Sequence, residues 1–242
     1  MANERPKIEP KIIRVTGRAS FLVHTEPKYR TDKFGRPVKT RPDGSPVKPQ
    51  YRMTWLIDPS SLEGQATIKE VKAEAARQLD IYHGGRENWP KDNAQTGTKG
   101  VLLCFGNGND LRKVYDGYKD MFFIKVADTT APIIGDRRGR QVQLLSDSGW
   151  HVLDKTTGKP TDETVDPKEV PYSGALCTGR ISLYIYNNES HGVNGNFRSI
   201  QFVATRPAFG GGAPRSAAEE LDQMAGDAAP AAQPAAEVDP FG

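Results

Sequence analysis

The chain has 242 residues, 36% of them hydrophobic, with a mean hydropathy of -0.61. That suits one large domain or two small ones, and no stretch approaches the roughly 20 apolar residues of a membrane-spanning helix. Glycine (24) and proline (18) favour short strands and many turns over a helical bundle. Met1 to Lys11 is charged and lacks an apolar h-region, so no secretory signal and a cytoplasmic location are expected.

The net charge of +3 hides an asymmetry. No Lys or Arg follows Arg215, and the last 27 residues carry Glu219, Glu220, Asp222, Asp227, Glu237 and Asp239, a charge of -6. The remainder therefore has 33 basic and 24 acidic residues (30 - 6), a balance of +9. A basic body attracts polyanions through counterion release. An acidic tail is positioned to compete for the same groove or to dock elsewhere.

Ile12, Ile13 and Val15 open a first strand over 11–25, in which Ala19, Phe21 and Val23 alternate with Arg18, Ser20 and Leu22. Gly17 marks an expected bulge or bend, and Pro27 an end. Residues 28–50 form a long basic loop: Lys28, Arg30, Lys33, Arg36, Lys39, Arg41 and Lys48 face only Asp32 and Asp43. Pro37, Pro42, Pro46 and Pro49 forbid a regular ladder there, and Pro42-Asp43-Gly44 signals a turn. Tyr51 to Ile57 is a strand with Tyr51, Met53, Trp55 and Ile57 on one face and Arg52, Thr54 and Leu56 on the other.

A capping box, Ser60 with Glu63, then starts a helix that runs to about Tyr82. Ile68, Val71, Ala75, Leu79 and Tyr82 are its apolar stripe; Lys69, Glu70, Glu74 and Arg77 are its wet side; Gly84-Gly85 stops it. Further strands are expected over Val101–Phe105, Met121–Ala127, Leu176–Tyr186 and Phe197–Thr205, with an inserted hairpin (Val142–Leu145, Trp150–Leu153) in an otherwise irregular 141–171. Asp136-Arg137-Arg138-Gly139-Arg140 reads as a basic hairpin tip. In Leu176–Tyr186, Cys177, Gly179, Ile181, Leu183 and Ile185 form a core face. Opposite them stand Thr178, Arg180, Ser182, Tyr184 and Tyr186. The pattern predicts a mainly β, partly open antiparallel barrel with one helix and long loops, over residues 1–208. From Ala208 the composition changes: Gly210-Gly211-Gly212 is a hinge and Ala228–Ala236 is low-complexity, so 209–242 is expected to be a flexible acidic tail.

Catalytic signatures are missing. There is no phosphate-binding loop, no complete dinucleotide fingerprint and no nucleophile elbow, and His24, His83, His151 and His191 lack ligand spacing. Asp162, Glu163 and Asp166 lie in a Pro/Thr-rich loop. The two cysteines, Cys104 and Cys177, sit in apolar runs and read as buried reduced thiols. No enzyme activity, metal or cofactor is expected.

What remains fits binding. Single-stranded nucleic acid offers a phosphate backbone and exposed base faces, so its binder needs mobile cations beside aromatic platforms. The loop supplies Lys28, Tyr29, Arg30, Arg36, Lys39 and Arg41; the strands supply Tyr51, Arg52, Trp55, Lys125, Arg180, Tyr184 and Tyr186. Trp55 shares its face with Met53 and Ile57, which suit a core equally well.

A set of short blocks also resembles the phage family of OB-fold single-stranded-DNA-binding proteins, long catalogued as a domain of unknown function. The blocks are Arg18-Ala19-Ser20-Phe21, Tyr51 through Ile57, Met121 through Lys125, Pro132-Ile133-Ile134 and Asp166 through Val170. They continue with Tyr172-Ser173-Gly174, Ser182 through Asn188, Gly192-Val193 and Ser199-Ile200-Gln201. Order and spacing carry the likeness, over residues 11 to 206 with gaps. It implies an OB-fold that coats single-stranded DNA without sequence preference during phage replication or recombination, in the host cytoplasm. The long 28–50 loop and the 141–160 insertion depart from it.

The ending Asp239-Pro240-Phe241-Gly242 resembles the acidic, Phe-ended tails of bacterial and phage single-strand binders. That implies replication or recombination enzymes as partners of Asp239, Pro240 and Phe241. A homo-oligomer is compatible with the sequence but not read from it. Two other classes stay open: a metal-dependent nuclease, and a virion structural protein, which accounts for the barrel but not for the charge split.

Overall fold

The computed structural model describes residues 6–32, 34–41, 44–93, 98–111, 117–187 and 191–207. Lys33, the Pro42-Asp43 half of the turn signal, Asn188 and the whole tail, with its hinge and Asp239, Pro240 and Phe241, lie outside the described residues.

The elements in chain order are β1 (Ile12–Lys28), β2 (Gln50–Ile57), α1 (Leu62–His83), β3 (Asp92–Asn93), β4 (Thr98–Lys99), β5 (Leu102–Leu103), β6 (Phe105–Asn107) and β7 (Phe122–Asp128). There follow β8 (Ile133–Gly135), β9 (Val142–Leu145), β10 (Gly149–Leu153), β11 (Pro160–Val165), β12 (Leu176–Asn187) and β13 (His191–Ala204). The main sheet runs β5-β13-β12-β1-β2-β7-β6, with β8 paired to β13. Its long strands pair antiparallel and curl into the expected OB-type barrel.

The barrel is not sealed by direct pairing of β7 with β13. The 102–107 segment lies between them: β5 runs parallel to β13, and β6 runs antiparallel to β7. Cys104, between the two, donates its N–H to the Val193 carbonyl (3.0 Å) and accepts at its own carbonyl from Lys125 N (2.7 Å). One residue's backbone thus satisfies an acceptor on the β13 edge and a donor on the β7 edge, which would otherwise be left unpaired. Its thiol is buried, and burial pushes its pKa up to about 12; Cys177 is the same.

The interior is filled by one face of each long strand. Ile13, Val15, Met53, Trp55, Ile57, Ile124, Val126, Ile181, Leu183, Phe197, Ile200 and Phe202 are buried in one cluster. Helix α1 closes one end with Val71, Ala75 and Leu79. Its N-cap is Ser61, not Ser60, and accepts from Gly64 N at 3.0 Å. Gly84 caps the C-terminus with φ +72°. Glu74 is not on the wet side as expected: it is 3% exposed and takes bonds from Arg77, from Gln78 Nε2 (2.7 Å) and from Lys11 N (3.1 Å). Those donors outweigh its desolvation and hold its carboxyl below the usual range. Gln78 Nε2 also donates to Leu183 O, tying the helix to the barrel.

Three other expectations change. Gly17 stays in register with Cys177; the irregularity of β1 falls between Ser20 and Val23 instead. The run after Leu153 is not wholly irregular, because Pro160–Val165 pairs with β10 and makes a three-stranded sheet, β11-β10-β9. The last strand begins at His191, six residues before Phe197, where glycines and asparagines hide the alternation.

Candidate nucleic-acid interface

Cross-strand register puts Thr54 opposite Lys125 and Arg52 opposite Ala127. Arg52, Thr54, Phe123 and Lys125 therefore share the outer face of β2 and β7. Tyr118 covers the Leu56 and Phe123 end of that face, forming a small second core. The Lys125 ammonium lies 5.1 Å from the Phe123 ring centroid, within cation–π reach.

Phe21 completes this face, although alternation in β1 assigns it inward with Ala19 and Val23. The bulge explains the reversal: an extra residue between Ser20 and Val23 flips the side-chain alternation. Phe21 has φ +50°, unusual for a bulky side chain, and its ring is 53% exposed. Tyr118 supports it, with ring centroids 6.3 Å apart, and is itself 6.4 Å from Phe123. Phe21, Arg52, Thr54, Lys125 and Asn194 line one groove of about 190 Å³. The sequence signal for Phe21 was indirect, since a bulge is set by pairing rather than by local composition.

Tyr184, on β12, borders this groove through Asn194: the two residues are cross-strand partners and their side chains are hydrogen-bonded. Burial nonetheless raises the Tyr184 phenol pKa, the largest influence upon it. Tyr186 is half-buried and lies over Gly192, where any Cβ would collide with its ring.

Trp55 does not share this exposed face. It is 0% exposed, because its face of β2 looks into the barrel, and a ring without accessible surface offers nothing for a base to stack on. Tyr51, on the same face, is half-buried against the core. Arg180 is exposed but stands on a different surface, among β1, β12, β13 and β8.

The basic loop joins the Arg52 end of β2, where Lys28 pairs with Gln50. It is laced rather than open: Val38 N donates to Arg30 O and Val47 N to Lys39 O, both at 2.8 Å, with single bridges at Thr31–Pro37 and Thr40–Pro46. Lys28, Arg30, Lys39 and Arg41 are exposed, while Tyr29 is half-buried with the Lys39 ammonium 5.9 Å from its ring centroid. Arg36 is committed locally, paired with Asp32 at 2.9 Å and set 5.0 Å from the Phe34 ring centroid. Backbone N–H groups of Arg36 and Phe34 and the Arg36 guanidinium hold the Asp32 carboxyl below its usual range. Among the described residues, no group of three or more His, Cys, Asp or Glu side chains is arranged to hold a metal ion.

Comparison with solved structures finds the same fold in the single-stranded DNA-binding protein from bacteriophage Enc34. Its complex with ssDNA matches with TM-score 0.54 at 16% identity, over 82% of this chain and 89% of that one. A second structure of the same phage protein matches with TM-score 0.54 at 15% identity, over 87% and 90%. A C-terminal truncation matches with TM-score 0.51 at 16% identity, over 82% and 88%. No curated protein matches the sequence. The family model of the Enterobacter phage Enc34 ssDNA-binding protein matches residues 37–229. With more than half of its length covered by that match, the chain belongs to the Enc34 ssDNA-binding protein family.

Proposed function

We propose that the chain binds single-stranded DNA without sequence preference, along the outer face of β2 and β7, and acts as a coat rather than as an enzyme. The observation that carries this is Phe21: an exposed ring, held in a left-handed backbone at a bulge, beside Arg52 and Lys125. Strained positions of this kind cluster at binding sites. A ring beside two cations matches a strand's base face and its phosphates together, and stacking contributes about 1–3 kcal/mol per base. Membership of a family of ssDNA-binding proteins supports the reading.

The test is a fluorescence titration of labelled oligo-dT and a matched duplex, at several salt concentrations and without divalent metal. Tight, salt-sensitive binding that favours the single strand is expected. No binding, or equal weak binding to both, would overturn the reading. The role we assign is protection of single strands during phage replication or recombination. Within that role, the acidic segment 209–242 recruits partner enzymes through Asp239, Pro240 and Phe241. Phe241→Ala is expected to weaken capture of replication enzymes and leave DNA affinity intact; an unchanged capture would reject the recruitment.

A further inference from the structure

A second basic surface lies outside the β2–β7 face. Arg14 on β1 stands directly opposite Arg180 on β12, and Arg180 opposite Ser199 on β13. Between the pairs Arg180–Ser199 and Ile181–Phe197 the β13 strand carries one extra residue, Arg198. Such a bulge re-aims a side chain, and Arg198 turns to the outer face, donating from Nε to Ser182 Oγ at 3.2 Å. Arg14 likewise donates from Nε to Thr178 Oγ1 at 3.3 Å. Both bonds go to neutral hydroxyls and orient the guanidinium without neutralising it.

The three arginines line a groove of about 710 Å³ to which no Asp or Glu contributes. Among the described residues none of the three is in an ion pair, and the Arg180 side chain makes no hydrogen bond. Like charges gathered on adjacent strands repel one another, so an arrangement left without counter-charges suits an anionic ligand. The basic hairpin tip adds to it: Gly139 lines the groove, and Arg137 and Arg138 beside it are exposed. Arg140 is instead spent on Asp136 and Glu163.

We propose that this groove is a second contact surface for the phosphate backbone of single-stranded nucleic acid, engaged by a strand longer than the β2–β7 face accommodates. This rests on the reading of the chain as a single-strand binder. Two further lining residues favour a single strand over a duplex. Ile12 is 49% exposed and Ile133 56%, so apolar surface stands among the cations. A single strand can lay base faces on such surface, whereas a duplex keeps its base faces stacked inside and presents charged backbone.

The experiment compares the full chain with its Arg14→Gln/Arg180→Gln/Arg198→Gln variant on a matched duplex, on a short oligo-dT of about 8 nucleotides, within the ~4–16 nucleotides of one OB-fold site, and on a long one of about 30, beyond it. On the long strand the variant's salt slope is expected to be shallower by ~2, about 0.7 for each phosphate that is no longer neutralised. Binding of the short strand is expected to be unchanged. Equal slopes for variant and parent on the long strand would overturn the proposal. So would an equal loss on both lengths, which would make the groove the primary site, or a loss confined to duplex. Failure of the parent chain itself to bind any single strand would be failure of the underlying reading, and is seen separately. Arg180→Gln alone, at an exposed side chain without partners, guards against misfolding of the triple variant and is expected to lower the slope by about 0.7.

Discussion

The Trp55 indole packs directly on the bare backbone of Gly179: a Cβ built on Gly179 would lie 2.9 Å from Trp55 Cζ2 and closer still to the Ser199 carbonyl. This packing joins β2 to β12 across the barrel interior, and it explains why an aromatic that looked suited to stacking is a core residue. Gly179→Ala is expected to overpack the interior and cost about 1–3 kcal/mol. Trp55 Nε1 is buried without a hydrogen-bond partner among the described residues. Trp55→Phe removes that unsatisfied donor along with some volume, so it is expected to cost less than the about 3–5 kcal/mol of Trp55→Ala. Denaturant unfolding checks the order. Oligo-dT affinity measured well below each melting temperature is expected to stay the same; a loss of affinity at unchanged stability would return Trp55 to the interface.

On the β2–β7 face, stacking and phosphate binding separate by their salt dependence. Phe21→Ala and Tyr184→Ala are each expected to weaken oligo-dT binding by about 1–3 kcal/mol with little change of salt slope, as removal of a stacking ring does. Lys125→Gln is expected to flatten the slope by about 0.7, as removal of one cation from a phosphate does. Tyr186→Ala is expected to have a smaller effect, because its ring is already covered by Gly192. Titration of each variant at four salt concentrations distinguishes these outcomes. A flattened slope for Phe21→Ala would show that the ring is not a stacking platform.

In the basic loop, the Asp32–Arg36 pair predicts an uneven contribution. Arg36→Gln is expected to change the salt slope less than Lys39→Gln or Arg41→Gln, since its charge is already balanced. Asp32→Asn is expected to tighten binding by releasing Arg36. Equal slopes for all three neutralisations would indicate that the pair opens at no cost when DNA arrives.

His24 supplies a pH dependence. It stacks on Trp150 of the inserted sheet, with centroids 5.8 Å apart and planes at 17°, and burial lowers its pKa to about 4. Between pH 6.5 and about 4 the unfolded chain takes up this proton and the native protein does not. Stability from this group is therefore complete above pH 6.5, falls as the pH drops towards 4, and changes no further below that. The loss amounts to about 3 kcal/mol at most, at 1.36 kcal/mol per unit. Carboxylates titrate in the same range, so the readout is the difference between the parent and His24→Phe. The variant is expected to lose less stability between pH 7 and 4.5; parallel curves would remove His24 as the cause.

Much of the barrel was legible from alternation alone. In β12 the expected core-face residues Cys177, Gly179, Ile181 and Leu183 are buried, because a strand's side-chain period is 2 whatever its neighbours are. The helix was legible for the same reason at its own period, and its glycine stop needed only local geometry. Arg52 and Lys125 were found as cations on strands, and the structure places them on one groove.

Four matters depended on how distant segments meet. Trp55 is core and not platform, since burial follows from which side of β2 the barrel closes on. Phe21 points outward because pairing with β2 inserts a bulge that no local pattern encodes. Glu74 is internal because Arg77 and Gln78 of its own helix and the Lys11 amide, just before β1, converge on it. Arg180 stands apart from Arg52 and beside Arg14 and Arg198, because β1 and β13 flank β12 in the sheet whereas β2 lies beyond β1. The strands, their inward residues and the basic character of the body are properties of a few consecutive residues, and so could be read directly from the chain. Which cations and rings come together follows from closure of the barrel, because Phe21 and Lys125, like Arg14 and Arg180, are more than a hundred residues apart in the chain.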